Sequence, residues 1–202
     1  VTTGTPVRPE ITHLPSREDA AARFGLDPAR PTIVVTGGSQ GARRLNELSA
    51  QAASSLPPET QVLHIAGALD FQRVCEITTG RVGYEVLGFC DQMPSAYAIA
   101  DLVIARSGAS SLTEIAIAGH PSILVPFPFA ADDHQTRNAR YLADRGAALL
   151  MPQPTLTPQL LADALRGMNR AKLLEMARAA RGVGKPEAAQ KVADICMELA
   201  PS

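Results

Sequence analysis

Hydrophobic positions along the chain follow two patterns in alternation. Short β-branched runs, of which Thr32-Ile33-Val34-Val35-Thr36 is the clearest, read as strands buried on both faces. Between them lie longer stretches with helical composition and spacing. The runs at 32–36, 61–66, 84–88, 101–105, 122–126 and 147–151 predict six strands, and the segments at 42–55, 69–77, 93–100, 111–118 and 135–145 predict the helices between them. Strands alternating with helices at this spacing imply a parallel sheet with right-handed crossovers. The expected class is α/β, a parallel sheet flanked by helices with a helical C-terminal tail.

The two ends differ from this body. Residues 1–31 are proline-rich and lack a clean period, apart from a short helix expected near 16–24, where Glu18 and Asp19 supply an acidic first turn. After residue 151, Thr157-Pro158 is an N-cap followed by proline at the first helical position. Leu160, Leu161, Ala164, Leu165 and Met168 then share one helical face. Val192, Ile195, Cys196 and Leu199 recur at helical spacing, and core packing is the expected fate of that stripe. The resulting division is 1–31 as linker and lead-in helix, 32–185 as the main domain and 186–202 as a C-terminal helix. The chain opens Val1-Thr2-Thr3-Gly4 without methionine or a targeting pattern, and reads as part of a longer protein.

Composition removes several function classes. Nineteen Lys and Arg against twenty Asp and Glu leave a formal charge of −1, with no basic footprint for nucleic acid. The longest apolar stretch, 123–131, has nine residues and two prolines, whereas a spanning helix needs ~20. Cys75, Cys90 and Cys196 are odd in number and far apart. They suggest neither a disulfide framework nor a zinc site and fit a reducing compartment.

The chemistry concentrates in glycine-rich turns. Gly37-Gly38-Ser39-Gln40-Gly41 lies between a strand and a helix, where the backbone can approach a ligand and a helix start favours anions. A dinucleotide site would need GxGxxG and an acidic residue at the end of the second strand, and both are missing. A serine hydrolase remains a rival, because the run satisfies GxSxG around Ser39, with Asp101 and His134 following in order. No earlier βα loop exists to complete its oxyanion hole. A nucleoside diphosphate sugar uses both glycine turns. Arg106-Ser107-Gly108-Ala109-Ser110-Ser111 opens a second helix after the fourth strand, so two anion-friendly turns flank one crevice. Backbone N–H groups of Ala109 to Leu112 would meet the phosphates. Ser111-Leu112-Thr113-Glu114 fits a capping box, yet the Glu114 carboxylate equally suits two ribose hydroxyls. His134 and Gln135 offer neutral partners for sugar hydroxyls. Asp132, Asp133 and His134 are consecutive loop residues that rarely converge on one metal ion, so no metal site and no cofactor are expected.

These residues carry a resemblance. Gly37-Gly38-Ser39-Gln40-Gly41-Ala42-Arg43 with Leu45-Asn46 resembles a signature of the MurG-type N-acetylglucosaminyltransferases of peptidoglycan synthesis. So do Gly88-Phe89-Cys90-Asp91-Gln92-Met93 with Tyr97, Ala100 and Asp101; Arg106 through Glu114; Gly119-His120-Pro121; Asp133-His134-Gln135-Thr136-Arg137-Asn138-Ala139; and Gly146-Ala147-Ala148. Gly4-Thr5-Pro6-Val7-Arg8 is similar to the family's interdomain linker, with Thr5 in place of the usual Asn. The resemblance implies the Rossmann-like, C-terminal donor domain of a GT-B enzyme. Such an enzyme transfers N-acetylglucosamine from UDP-GlcNAc to lipid I, with inversion and a β-1,4 bond, giving lipid II. It further implies that the acceptor site, the catalytic base and peripheral contact with the cytoplasmic face of the bacterial inner membrane belong to an N-terminal domain.

By position, Arg8 and Ser39 would contact the donor and Cys90 the uracil through its backbone. Ala109, Ser110, Ser111, Leu112 and Thr113 would border the diphosphate, Glu114 would hold the ribose, and His134 and Gln135 would read the sugar. Cys90 replaces a more usual Ile or Val and would place an exposed thiol beside the nucleotide. Glycolipid glycosyltransferases and UDP-GlcNAc 2-epimerases of the same fold are the neighbouring alternatives.

Overall fold

The computed structural model describes residues 3–38 and 42–199. Six strands form one parallel sheet: β1 (Thr32–Thr36), β2 (Gln61–Ile65), β3 (Tyr84–Leu87), β4 (Leu102–Ala105), β5 (Ser122–Leu124) and β6 (Ala148–Leu150). Their spatial order is β3-β2-β1-β4-β5-β6, every neighbouring pair being parallel. The order reverses between β1 and β4. There the connections diverge and leave a crevice beyond the strands' C-terminal ends.

The β-branched runs are buried because helices cover both faces of the sheet. Val34, Leu63, Val103 and Leu124 point to one face. There they meet α1 (Arg17–Phe24), α4 (Met93–Ile99), α5 (Ala109–Ala118), α6 (His134–Ala143) and α8 (Arg170–Val183) through residues such as Ala20, Tyr97, Ile115, Leu142 and Ala180. Ile33, Val35, Val62, Ile104 and Ile123 point to the other. They pack on α2 (Arg43–Ala53), α3 (Phe71–Ile77) and α7 (Pro158–Arg166) through Leu45, Leu48, Val74, Leu161 and Leu165. The period of two along each strand thus divides one sequence run between two cores.

The lead-in segment is part of this body. Ile11, in the 3-10 turn Pro9–Ile11, is buried, and Ala20 and Ala21 press α1 onto α4. Ser16 caps α1 by accepting from the Asp19 N–H, and Thr157 caps α7 by accepting from the Leu160 N–H. Arg17 ties the lead-in down further, donating to Asp101 at 2.8 Å and to the carbonyls of Pro28, Ile99 and Arg30.

Two expectations about elements are corrected. The second glycine turn gives way to helix at Ala109, two residues earlier than the spacing predicts, with Gly108 as the N-cap. Helix α9 (Ala188–Leu199) forms as expected, but its apolar stripe is not core. Val192, Cys196 and Leu199 are exposed and Ile195 is half-buried; Ala188 is the buried residue of that helix. Periodicity reports that a helix has an apolar side and carries no information on what covers it. Among the described residues no helix is long and apolar enough to cross a membrane.

Candidate functional site

At the reversal point lies a crevice of about 860 Å³. Its walls come from the turn after β1 (Gly37, Gly38), the start of α2 (Arg43, Arg44), the turn after β2 and the start of α5. Among the described residues, three arginines, Arg43, Arg44 and Arg106, and one acidic residue, Asp70, line it. Asp70 is buried and already engaged, accepting from Arg43 Nε at 3.2 Å and from Asn46 Nδ2 at 3.1 Å. The crevice therefore presents a surplus of positive charge.

The two glycine turns serve it differently. Gly38 has φ +80°, a left-handed conformation that the turn requires and that side chains disfavour. Gly108 has φ −64° and ψ 145°, which any residue adopts, and a Cβ built there would meet no atom of the described residues within 4 Å. Neither backbone strain nor packing calls for glycine at 108. What its bare backbone leaves is open space on the crevice wall. Being glycine, it also puts no side-chain oxygen over the helix end. The first intrahelical bond of α5 runs from the Leu112 N–H to the Gly108 carbonyl. The N–H groups of Ala109, Ser110 and Ser111 therefore have no partner along the helix and point, with the positive end of the helix dipole, to where an anion would sit.

Arg106 reinforces that potential. Its guanidinium is nearly buried, donating to the carbonyls of Val125 (3.0 Å) and Pro126 (3.1 Å) and to Gln153 Oε1 (2.6 Å), and it lies 5.6 Å from the Phe127 ring centroid. These partners are all neutral. Burial pulls its pKa down to about 10, so the group stays charged at neutral pH.

Helix α6 supplies the opposite wall. Gln135 Oε1 accepts from the N–H groups of Phe127 (3.0 Å) and Ser107 (3.4 Å). That engagement fixes the amide's orientation and leaves its NH₂ as a donor toward the crevice. His134 Nδ1 lies 2.7 Å from the Ala131 carbonyl and donates to it, which fixes the ring's orientation on the exposed side of the turn. The preceding Asp132 and Asp133 both have positive φ, 50° and 51°, a conformation that Asp tolerates better than most residues.

A second group of candidates gathers beside α5. Ser110 and Glu114 are four residues apart on one helix face, ~6 Å or just over one turn along the axis. Glu114 Oε1 lies 3.5 Å from Arg8 Nη2, and Glu114 Oε2 accepts from the Tyr97 hydroxyl at 3.1 Å. Glu114 stands in the second turn of α5, behind a glycine N-cap, so the capping-box reading of Ser111 and Glu114 is corrected. Cys90 lies near Arg8 but is buried. Its thiol is pushed upward, first by that burial, so the expected exposed thiol is corrected as well.

Of the remaining candidates, Ala109, Ser110, Ser111 and Gln135 reach the crevice. Leu112 is buried with its N–H used inside the helix, and Thr113 Oγ1 donates back to the Ala109 carbonyl at 2.9 Å. Both face a separate cavity of about 320 Å³, bordered also by Gly4 and Lys185. The part of α5 that borders the crevice is thus shorter than the motif suggested. Ser39 lies outside the described residues. The hydrolase reading loses its geometry nonetheless. Asp101 precedes β4 and is bound to Arg17 and the Thr32 N–H at the sheet's N-terminal edge, whereas His134 follows β5 at the C-terminal edge.

Sequence reasoning missed Asp70 and Gln153, which belong to no motif. It also missed a buried chain in which His64 Nδ1 meets the Tyr84 hydroxyl (2.7 Å) and Nε2 meets Asn46 Oδ1 (3.0 Å). Asn46 Nδ2 donates onward to Asp70 and to the Ala66 carbonyl. Desolvation lowers the His64 pKa to about 4. The neutral ring with its proton on Nε2 completes the network that holds Asp70 and, through it, Arg43.

Comparison with known proteins places the chain. Residues 32–194 match the profile of the glycosyltransferase family 28 C-terminal domain. The UDP-N-acetylglucosamine--N-acetylmuramyl-(pentapeptide) pyrophosphoryl-undecaprenol N-acetylglucosamine transferase of Ralstonia nicotianae is 45% identical, covering 98% of this chain and 55% of its own length. Its counterpart in Cupriavidus pinatubonensis is 44% identical, with 98% and 56% covered. The crystal structure of Acinetobacter baumannii MurG superimposes with a TM-score of 0.81 at 36% identity, over 94% of this chain and 55% of that one. Anabaena Alr3699/HepE, solved with UDP and glucose, shares the fold with a TM-score of 0.64 at 15% identity, covering 98% of this chain and 54% of that one. The chain spans about half the length of the curated relatives it matches. By fold and by sequence, it belongs to the glycosyltransferase family 28 C-terminal domain family.

Proposed function

We propose that this chain is the donor-binding half of an inverting N-acetylglucosaminyltransferase that converts lipid I to lipid II. The observation that carries the reading is the start of α5. Among the described residues no side chain caps the three helix N–H groups that follow Gly108 and no carboxylate pairs with Arg106, which lines the same positively charged crevice. Such a helix start suits an anion, and the resemblance and the names of the relatives support UDP-GlcNAc as its occupant.

In this reading the diphosphate lies on Ala109, Ser110 and Ser111, with Ser39 and Arg8 as further donor contacts. One helical turn on, Glu114 accepts the ribose hydroxyls, and the backbone at Cys90 borders the uracil. Gln135 Nε2 and His134 Nε2 meet the sugar. The acceptor hydroxyl attacks the anomeric carbon from the side away from the diphosphate. The bond from that carbon to the phosphate oxygen breaks, and UDP leaves with its negative charge growing on the terminal phosphate. The end of α5 and Arg106 are fixed in place before that charge develops, which is what electrostatic stabilisation of a leaving group requires. The acceptor's proton goes to a base outside this chain. We place that base, the lipid I site and the membrane contact in a preceding domain, in keeping with the share of the relatives' length that the chain spans. Since lipid I carries an undecaprenyl tail, the whole enzyme would work peripherally at the cytoplasmic face of the inner membrane.

Radiolabelled transfer from UDP-GlcNAc to a lipid I analogue tests this. The 202-residue chain should show negligible turnover, and the same chain fused behind a relative's N-terminal half should transfer. Holding two reactants together is worth ~7–11 kcal/mol, and one domain does not supply it. Robust transfer by the chain alone would overturn the division of labour.

A further inference from the structure

We propose that Tyr97 is a positioning residue for nucleotide recognition. Its phenolic hydroxyl holds the Glu114 carboxylate in the orientation that presents both oxygens to a ribose diol. The inference rests on the reading of Glu114 given above and assigns a role to a motif tyrosine that the donor contacts leave unexplained.

Glu114 projects from the middle of α5, and its long side chain would ordinarily sample several rotamers. Here both oxygens are held. Arg8 lies against Oε1, and the Tyr97 hydroxyl donates to Oε2 at 3.1 Å. Tyr97 itself has no room to move. Its side chain is 1% exposed on α4, within the core between the sheet and α1, and its ring stacks on His120 with an interplanar angle of 24°. A rigid donor on one oxygen and a cation on the other together fix the carboxylate plane. Each carboxylate oxygen accepts more than one hydrogen bond, so acceptor capacity remains on both. The Glu114 side chain is 16% exposed, so the group is not sealed from a ligand. Two adjacent acceptors in a fixed plane match the paired O–H donors of a 2′,3′-diol, and fixing them beforehand removes the ordering cost from binding. The hydroxyl is suited to the task. Burial, then the neighbouring Glu114 charge, hold its pKa well above the usual tyrosine range, so it remains a donor at any pH at which the protein works.

A purely structural account gives the same bond a different consequence. A buried tyrosine needs a partner for its hydroxyl, and losing that bond would lower stability without altering the preference for ribose. Calorimetric titration with UDP and with 2′,3′-dideoxyuridine diphosphate separates the two accounts. The wild-type chain should prefer UDP. Tyr97→Phe should weaken UDP binding about 3- to 10-fold, the equivalent of one modest hydrogen bond, and leave the dideoxy analogue's affinity unchanged. In a Glu114→Ala background the same substitution should cost nothing further, and 4-aminophenylalanine at position 97, which restores a donor, should recover the preference. In the wild-type chain, the ¹³Cζ resonance of Tyr97 should move on adding UDP and stay put with the dideoxy compound, a readout that needs no variant to fold. If Tyr97→Phe lowers the unfolding temperature but keeps the full UDP preference, or if that resonance ignores UDP, the positioning role is overturned while the Glu114 reading stands. If the wild-type chain binds both nucleotides equally, the ribose role of Glu114 fails first, and this inference with it.

Discussion

Gly108→Ala separates binding from folding more sharply than any other single change in the crevice. At φ −64° and ψ 145° alanine fits without strain, and its methyl group would touch no atom of the described residues within 4 Å. Two small effects on stability oppose each other. Alanine reduces the freedom of the unfolded chain, worth ~0.4–1 kcal/mol, and is a poorer N-cap than glycine by a similar amount. The unfolding free energy should therefore change by less than about 1 kcal/mol. Binding has no such compensation. The methyl group enters the space through which a phosphate approaches Ala109, Ser110 and Ser111, and overpacking costs ~1–3 kcal/mol, or about 5- to 150-fold in affinity. Urea denaturation and calorimetric titration of UDP on the same preparation give both numbers. Unchanged UDP affinity with normal stability would refute the reasoning, because open space at residue 108 would then have no bearing on a ligand.

Three further outcomes follow from the same geometry. Glu114→Ala should cost UDP about 1.5–3 kcal/mol, the range for a hydrogen bond to a charged group, and destabilise the fold by about 1–3 kcal/mol because the buried Tyr97 hydroxyl loses its partner; equal affinities by calorimetry would count against the ribose role. Gln135→Glu keeps an oxygen for the Phe127 and Ser107 N–H groups but removes the NH₂ donor, so UDP-GlcNAc should weaken several-fold more than UDP in competition binding, and equal weakening would argue against a sugar contact. His64 and His120 are both lowered to about 4, chiefly by desolvation. Their folded pKa lies below the unfolded value near 6.5, so the stability they contribute is complete above pH ~6.5 and is lost as pH falls toward 4, on the order of 3 kcal/mol for each ring; urea midpoints that stay flat between pH 7 and 4.5 would contradict this.

Most of the architecture was legible because a two-sided parallel sheet writes itself into local sequence. Thr32–Thr36 and Leu102–Ala105 are buried on both faces, and such strands have no solvent-facing positions to confuse the pattern. Where the reading slipped, the signal was local and the cause was not. Ser111 and Glu114 have the spacing of a capping box, but α5 starts at Ala109, after a glycine whose value lies in what it leaves empty. The stripe Val192, Ile195, Cys196 and Leu199 is a correct helical face, left uncovered by the described residues. The site followed the same division. Motif residues Ala109, Ser110, Ser111 and Gln135 line the crevice as their turns suggested. By contrast, Asp70 is joined to Asn46 and Arg43, and Gln153 to Arg106, across 24 to 47 residues of chain. Nothing in their neighbours announces those bonds, and only the folded sheet brings them together.

If the reading of the crevice between the two glycine turns holds, it recognises a uridine diphosphate. Isothermal titration of the 202-residue chain with UDP and with ADP tests it directly. UDP should bind at one site per chain, at least about 10-fold more tightly than ADP, a difference of ~1.4 kcal/mol. Equal affinity for the two nucleotides, or no saturable binding of UDP, would contradict it.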